Sequence, residues 1–241
     1  MSSVTYRKDG DVGVITMDDG KMNSFSFAHM DALSACLDEA AGDGAVVLAG
    51  NDRCFSAGFD LGVMMAGDAA ETTRMIEQGC EIFLRLFEFR RPVLAASTGH
   101  ALAAGAIALL ACDVRVGAPN PKHKVGLNEV RIGLSLPIAG VELARHRLAP
   151  THLSRVLCQA EVFAPQQAVA VGFLDRVAAS EEAVLAETLE QAHELAEALK
   201  SPAFEECKMK ERGAVAAHIR DTLAADMEHY RRVLQSASIG R

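Results

Sequence analysis

From Val12 to Met17 the chain reads VGVITM, a β-branched run bounded by Asp-Gly pairs, which predicts a strand closing a hairpin with Thr5 to Arg7. The period then changes. Phe27, Met30, Leu33 and Leu37 recur every three or four residues, predicting an amphipathic helix from Ser26 to Ala41 that Gly42 stops. Ala45 to Ala49 (AVVLA) is the next strand, followed by an irregular stretch, Asn51 to Asp60, and a helical region whose apolar spacing is clear from Met75 through Leu86. Pro92 ends that region and opens a strand, Val93 to Ser97. A second irregular stretch, Thr98 to Leu102, leads into an apolar helix around Gly105, and Asp113 to Gly117 returns as a strand. Strand, Ala-Gly loop and helix have now occurred twice, and such recurrence predicts stacked ββα turns around one core.

Further on, Lys124 to Leu127 is strand-like, Pro137 sits near the start of a helix running to about Arg147, and Pro150 and Pro165 each open another. Glu181 to Lys200 and Pro202 to Leu234 read as two long amphipathic helices joined at Ser201-Pro202. No Gly/Ser linker breaks the 241 residues, so the predicted fold class is α/β, one domain with a helical C-terminal region.

Composition narrows the function. Half the residues are apolar, enough for a sizeable core. A net charge of −8, an aromatic content of 5% and the absence of Trp argue against a nucleic-acid partner, which needs positive charge and stacking surfaces. The six cysteines include no CxxC pair and read as reduced core residues, which implies a cytosolic compartment. Met1 to Lys8 lacks a secretory pattern, Ser238 to Arg241 matches no lipid anchor, and the apolar run Ala101 to Cys112 falls short of the roughly 20 residues that span a bilayer. No membrane partner is expected.

Several motifs fail on context. Gly42 and Gly44 precede a strand, whereas a dinucleotide fingerprint follows one, and no GxxxxGK[ST] phosphate loop occurs. Ser135 in GLSLP lacks the second glycine of a nucleophile elbow and reads as a turn serine. There is no HExxH, and His146 and His152 are too far apart to share one helical face, so no metal site is expected.

Three strings carry a resemblance. CFSAGFDL (Cys54 to Leu61), GHALAAGAIALLACDVRV (Gly99 to Val116) and GLNEVRIGLSLP (Gly126 to Pro137) resemble, in order and spacing, the signatures of the crotonase, or enoyl-CoA hydratase/isomerase, superfamily. The resemblance runs from about Val4 past Pro202, and includes DVGVITMDDGKMNSFS and AVGFLDRV. It implies a crotonase-like spiral of ββα units, one domain over residues 1–241, with a spiral core at 1–200 and a C-terminal helical trimerisation segment at 201–241. It also implies a homotrimer or homohexamer, an acyl-CoA thioester as substrate, and no tightly bound cofactor beyond the coenzyme A of that substrate.

Matched residue by residue, the backbone N–H groups of Phe59 and Ala104 would form the oxyanion hole. Ala104 stands where the family usually has glycine, yet keeps the N–H. Ser56, Ala57, Gly58, Asp60 and Leu61 match the stretch along the adenine and pantetheine path, and Ala103 and Gly105 belong to the second loop. Read without the resemblance, the Ala-Gly sites are places of close packing, and Asp60 is a helix N-cap.

The chemistry those residues would serve is enolate formation. Removing a proton beside a thioester puts negative charge on the carbonyl oxygen, and one preorganised N–H there is worth about 3–4 kcal/mol. Glu129 matches the family's acid/base glutamate, and burial would raise its pKa toward the value such a group needs; the alternative is an ion pair with Arg131 or another surface partner. A hydratase usually carries a second glutamate where this chain has Ile107, and an apolar side chain cannot hold the attacking water. One glutamate with an oxyanion hole resembles the Δ3,Δ2-enoyl-CoA isomerases. A hydratase working with a single glutamate and a noncatalytic acyl-CoA binder stay open. Chain length is unread, since pocket depth depends on how Met64, Met65, Phe83 and Phe87 pack.

Overall fold

In the computed structural model, which describes residues 3–199 and 202–239, the opening hairpin pairs β1 (Val4–Asp9) antiparallel with β2 (Val12–Met17). Ser26 caps α1 (Phe27–Glu39), its side chain accepting from the His29 amide, and a short 3-10 turn, Ala40–Gly42, ends that helix where the sequence places Gly42. Three ββα turns follow. The first is β3 (Ala45–Ala49), β4 (Cys54–Ser56), a short α2 (Leu61–Met65) and α3 (Ala69–Phe87). The second is β5 (Val93–Ser97), β6 (His100–Leu102) and α4 (Ala104–Ala111). The third is β7 (Val114–Gly117), β8 (Val125–Gly126), a 3-10 turn at Glu129–Ile132 and α5 (Ile138–Arg147). Then come α6 (Leu153–Leu157), α7 (Pro165–Val171), β9 (Arg176–Val177), α8 (Ala183–Ala198) and α9 (Ala203–Ile239).

The stacked turns thus exist, with one more than the sequence pattern revealed. The two stretches read as irregular hold β4 and β6, three residues each. Strands that short show no alternation. The first strands of the turns, with the hairpin and β9, build a six-stranded sheet in the order β1-β2-β3-β5-β7-β9, and the second strands build a separate sheet, β4-β6-β8. All pairs after the hairpin are parallel.

Every residue of β3 and β5 is buried because the large sheet is covered on both faces. Val46 and Leu48 face the main core with Met30, Leu33, Phe83 and Phe87. Their neighbours Ala45, Val47 and Ala49 face a second core closed by Val184, Ala192 and Ala196 of α8. Four cysteines are buried as the sequence suggests, whereas Cys158 and Cys207 are exposed, because each lies on the outer side of its helical segment.

The long C-terminal helix packs on α3 and α5 of its own chain. A buried charge cluster fastens it. Lys208 Nζ and Arg212 Nη2 each lie 2.7 Å from a different oxygen of Asp113, and Arg212 Nη1 donates to the Phe87 carbonyl at 2.8 Å. Four turns on, Asp226 accepts from the Ile138 amide at 2.7 Å and so caps the start of α5. The Ser201 joint and the last two residues of the 201–241 segment lie outside the described residues. No helix among the described residues is long and apolar enough to cross a membrane.

Candidate active site

The small parallel sheet organises the site. Phe59 follows β4, Ala104 follows β6 and Glu129 follows β8, so all three emerge from the same end of neighbouring strands, where open parallel sheets carry their ligands.

At the first loop, hydrogen bonds use up every amide except the one the resemblance selects. Ala57 N donates to the Met22 carbonyl at 2.9 Å, Gly58 N to Ser56 Oγ at 3.2 Å, and Asp60 N to the Phe25 carbonyl at 3.4 Å. Among the described residues the Phe59 N–H has no acceptor. Its ring is wedged into the core against Phe25 and Phe83, with centroids 6.5 and 6.3 Å away, which fixes the backbone that carries the amide. The strap behind this loop depends on Asn23. Fully buried and at φ +51°, Asn23 donates from its side chain to the carbonyls of Met17 and Cys54, both at 2.9 Å.

The second loop leaves a matching amide. Ala103 N donates to the Gly126 carbonyl at 3.0 Å, and Ala106 and Ile107 donate back to the Ala103 carbonyl at 2.8 and 3.1 Å. The Ala104 N–H, first in α4, has no acceptor among the described residues and stands at the positive end of the helix. Ala103 achieves this at φ +50°, ψ −127°, a conformation that L residues rarely hold and that concentrates at functional sites.

Close approach brings the two loops together. A Cβ on Gly58, itself at φ +105°, would lie 3.3 Å from Ala104 N, and a Cβ on Gly105 would lie 2.1 Å from the Ser56 carbonyl oxygen. Both positions therefore require glycine. Ser56 is fully buried, its hydroxyl donating to the Asn23 carbonyl at 2.7 Å and accepting from Gly58, so it pins the loop. Ala57, Asp60 and Leu61 do line an open cavity of about 380 Å³, with Lys21 and Ser24. Asp60 also caps α2, its side chain accepting from Gly62 N.

Glu129 begins the 3-10 turn after β8 and is 7% exposed. Burial pushes its carboxyl up from 4.5 to about 7, although its own backbone N–H favours the ionised form. Its Oε2 has no hydrogen-bond partner among the described residues, and no ion pair to Arg131 forms. Residues 132–135 that follow Glu129 bound a cavity of about 640 Å³ together with Met64 and Met65 of α2 and Tyr230 of α9; Glu129 itself is not in its lining. Tyr230 is buried beside the Ser135 hydroxyl, and desolvation first, then the nearby Glu129 charge, raise its pKa. Ile107, at the position of a second glutamate, is fully buried, and its Cδ1 packs against Gly140 of α5.

Sequence reasoning missed Asn23, Tyr230 and the part played by Ser135. Asn23 lies inside the quoted MNSFS string, and Tyr230 is one of only two tyrosines, one helical turn past Asp226. Those were the available signals.

This chain belongs to the enoyl-CoA hydratase/isomerase family, whose model matches residues 7–239. Its architecture is the crotonase fold. A probable enoyl-CoA hydratase of Mycobacterium tuberculosis H37Rv superposes with a TM-score of 0.90 at 35% identity, over 96% of this chain and 98% of that one. The human mitochondrial Δ3-Δ2-enoyl-CoA isomerase also reaches 0.90, at 27% identity, over 98% and 93% of the two chains. By sequence, a probable enoyl-CoA hydratase of Bacillus subtilis is 28% identical over 208 residues, 84% of this chain and 78% of that protein.

Proposed function

We propose that the chain is a Δ3,Δ2-enoyl-CoA isomerase. Glu129 takes a proton from carbon 2 of a 3-enoyl-CoA and returns it at carbon 4, while the Phe59 and Ala104 N–H groups hold the dienolate oxygen. The observation that carries this reading is the buried Glu129 carboxyl, its Oε2 without a partner among the described residues and its pKa raised to about 7, with Ile107 where a second glutamate would stand. A group that takes and then returns a proton works best with a pKa near the working pH. The two free amides support the electrostatic half of the reaction, since they are fixed before charge develops. In this reading Ala57, Asp60 and Leu61 border the coenzyme A path.

A second reading is hydration of a 2-enoyl-CoA with Glu129 alone. It is favoured by the Tyr230 and Ser135 hydroxyls, which bring polar groups that can hold a water to the cavity wall near Glu129. Supplying 3-enoyl-CoA and 2-enoyl-CoA separately divides the two. The isomerase reading expects conjugated product from the former and little 3-hydroxyacyl product from the latter. Faster hydration than isomerisation would reject it, and no turnover of either by the folded protein would leave a noncatalytic binder.

A further inference from the structure

The cavity between α2 and α9 is large and its rim is apolar, and Glu129, which is not one of its lining residues, lies near enough to its Tyr230 wall to act on that hydroxyl. Its volume of about 640 Å³ sits within the roughly 300–1,000 Å³ that houses a drug-sized ligand, and a butanoyl group would leave most of it empty. None of the residues lining it is charged. Four of them are large apolar side chains turned to solvent: Leu61 at 60% exposed, Met65 at 83%, Ile132 at 56% and Val233 at 46%. They come from α2, the 3-10 turn after Glu129 and α9, so one apolar collar surrounds one opening. Isolated exposed apolar residues need no explanation, but four converging on the mouth of a single cavity form a patch of the kind that marks a binding surface. The collar is continuous with the wall formed by Met64, Leu134 and Tyr230, which leads inward toward Glu129.

We propose that the preferred substrates carry an aliphatic acyl chain of octanoyl length or longer, which runs from Glu129 through this cavity and leaves between α2 and α9 over Leu61, Met65, Ile132 and Val233. The inference rests on the reading of the site as an acyl-thioester site. Met65 and Val233 are then specificity-determining residues. α2 begins directly after the Phe59 loop, and α9 is locked to the core by Asp113 and Asp226, so the two walls of the exit are held by the same elements that frame the chemistry.

Binding of saturated acyl-CoAs, which undergo no net conversion, to the whole chain, measured by calorimetry, tests this apart from turnover. From butanoyl- to octanoyl-CoA each methylene is expected to tighten binding by up to about fourfold, and dodecanoyl-CoA should bind more tightly still. Met65→Lys, at a site exposed enough to leave folding intact, is expected to lower the gain of dodecanoyl over octanoyl by about tenfold, as a charge beside the chain would demand. Equal affinity for all chain lengths, or weakening beyond butanoyl, overturns the chain-length inference and leaves the thioester site standing. No binding of any acyl-CoA overturns the site reading itself. If Met65→Lys changes the oligomeric mass by light scattering while the chain-length gain persists, the collar is a contact between copies and the exit is elsewhere.

Discussion

Replacing Glu129 with glutamine should change stability in a pH-dependent way, because burial holds the carboxyl neutral in the folded chain. In the folded chain the carboxyl is raised from 4.5 to about 7, so the neutral form is the one the fold accommodates. Stability from that neutral form is fully present below 4.5 and is lost as pH rises through about 7. At 1.36 kcal/mol per pH unit, ionising Glu129 in place costs about 3 kcal/mol. Glutamine cannot ionise. Whatever its amide costs in that buried spot is the same at every pH, so the comparison of interest is the change in the difference between the two proteins. Between about pH 4 and pH 8 the variant is expected to gain about 3 kcal/mol on the parent, which for a chain of this size means about 6–12 °C in Tm. Thermal melts of both proteins at the two pH values measure it. Parallel pH profiles would refute the reasoning, because they would mean that Glu129 ionises as freely in the folded chain as in the unfolded one.

Three further substitutions probe the parts that hold the site. Gly105→Ala places a methyl 2.1 Å from the Ser56 carbonyl and must force the loops apart, costing about 1–3 kcal/mol and at least about a hundredfold in turnover as one amide is displaced; retained turnover would contradict the loop contact. Ala103→Gly relieves a φ of +50°, where about 1–3 kcal/mol of strain exceeds the roughly 0.4–1 kcal/mol that glycine adds to unfolded-state entropy, so Tm should rise by a few degrees and a fall would refute the strain. Asp113→Ala leaves buried Lys208 and Arg212 without their carboxylate and should cost about 3–5 kcal/mol by denaturant titration; a negligible loss would mean that apolar packing alone holds α9.

Local periodicity made the helices and long strands legible. VGVITM, AVVLA and VLAAS became strands at their expected bounds because burial on both faces needs unbroken apolar runs, which are visible without any fold in mind. β4, β6 and β8 carry the site yet are only two or three residues long; β8 lies inside the strand-like Lys124 to Leu127, whereas β4 and β6 fall in stretches read as irregular, because three residues show no alternation. Free amides cannot be read from side chains at all. Phe59 and Ala104 are left over only after Met22, Ser56, Phe25 and Gly126 have taken the neighbouring hydrogen bonds, and all of those partners but Ser56 are distant in sequence. Ala103 gives no hint of its positive φ, since alanine, unlike glycine or asparagine, does not mark such a conformation. Tyr230 reaches the cavity because a charge cluster near the other end of α9 and a cap on α5 set the angle of that helix, a consequence of tertiary packing alone.

The central claim is that Glu129 moves a proton at the carbon beside the thioester while two amides hold its oxygen. Exchange of the carbon 2 hydrogens of butanoyl-CoA with heavy water, followed by NMR, reads that step without needing a double bond or a product. The parent chain is expected to catalyse the exchange, and Glu129→Gln to slow it by about 10²–10⁴-fold at unchanged butanoyl-CoA affinity. Equal exchange rates in the two proteins would contradict the account.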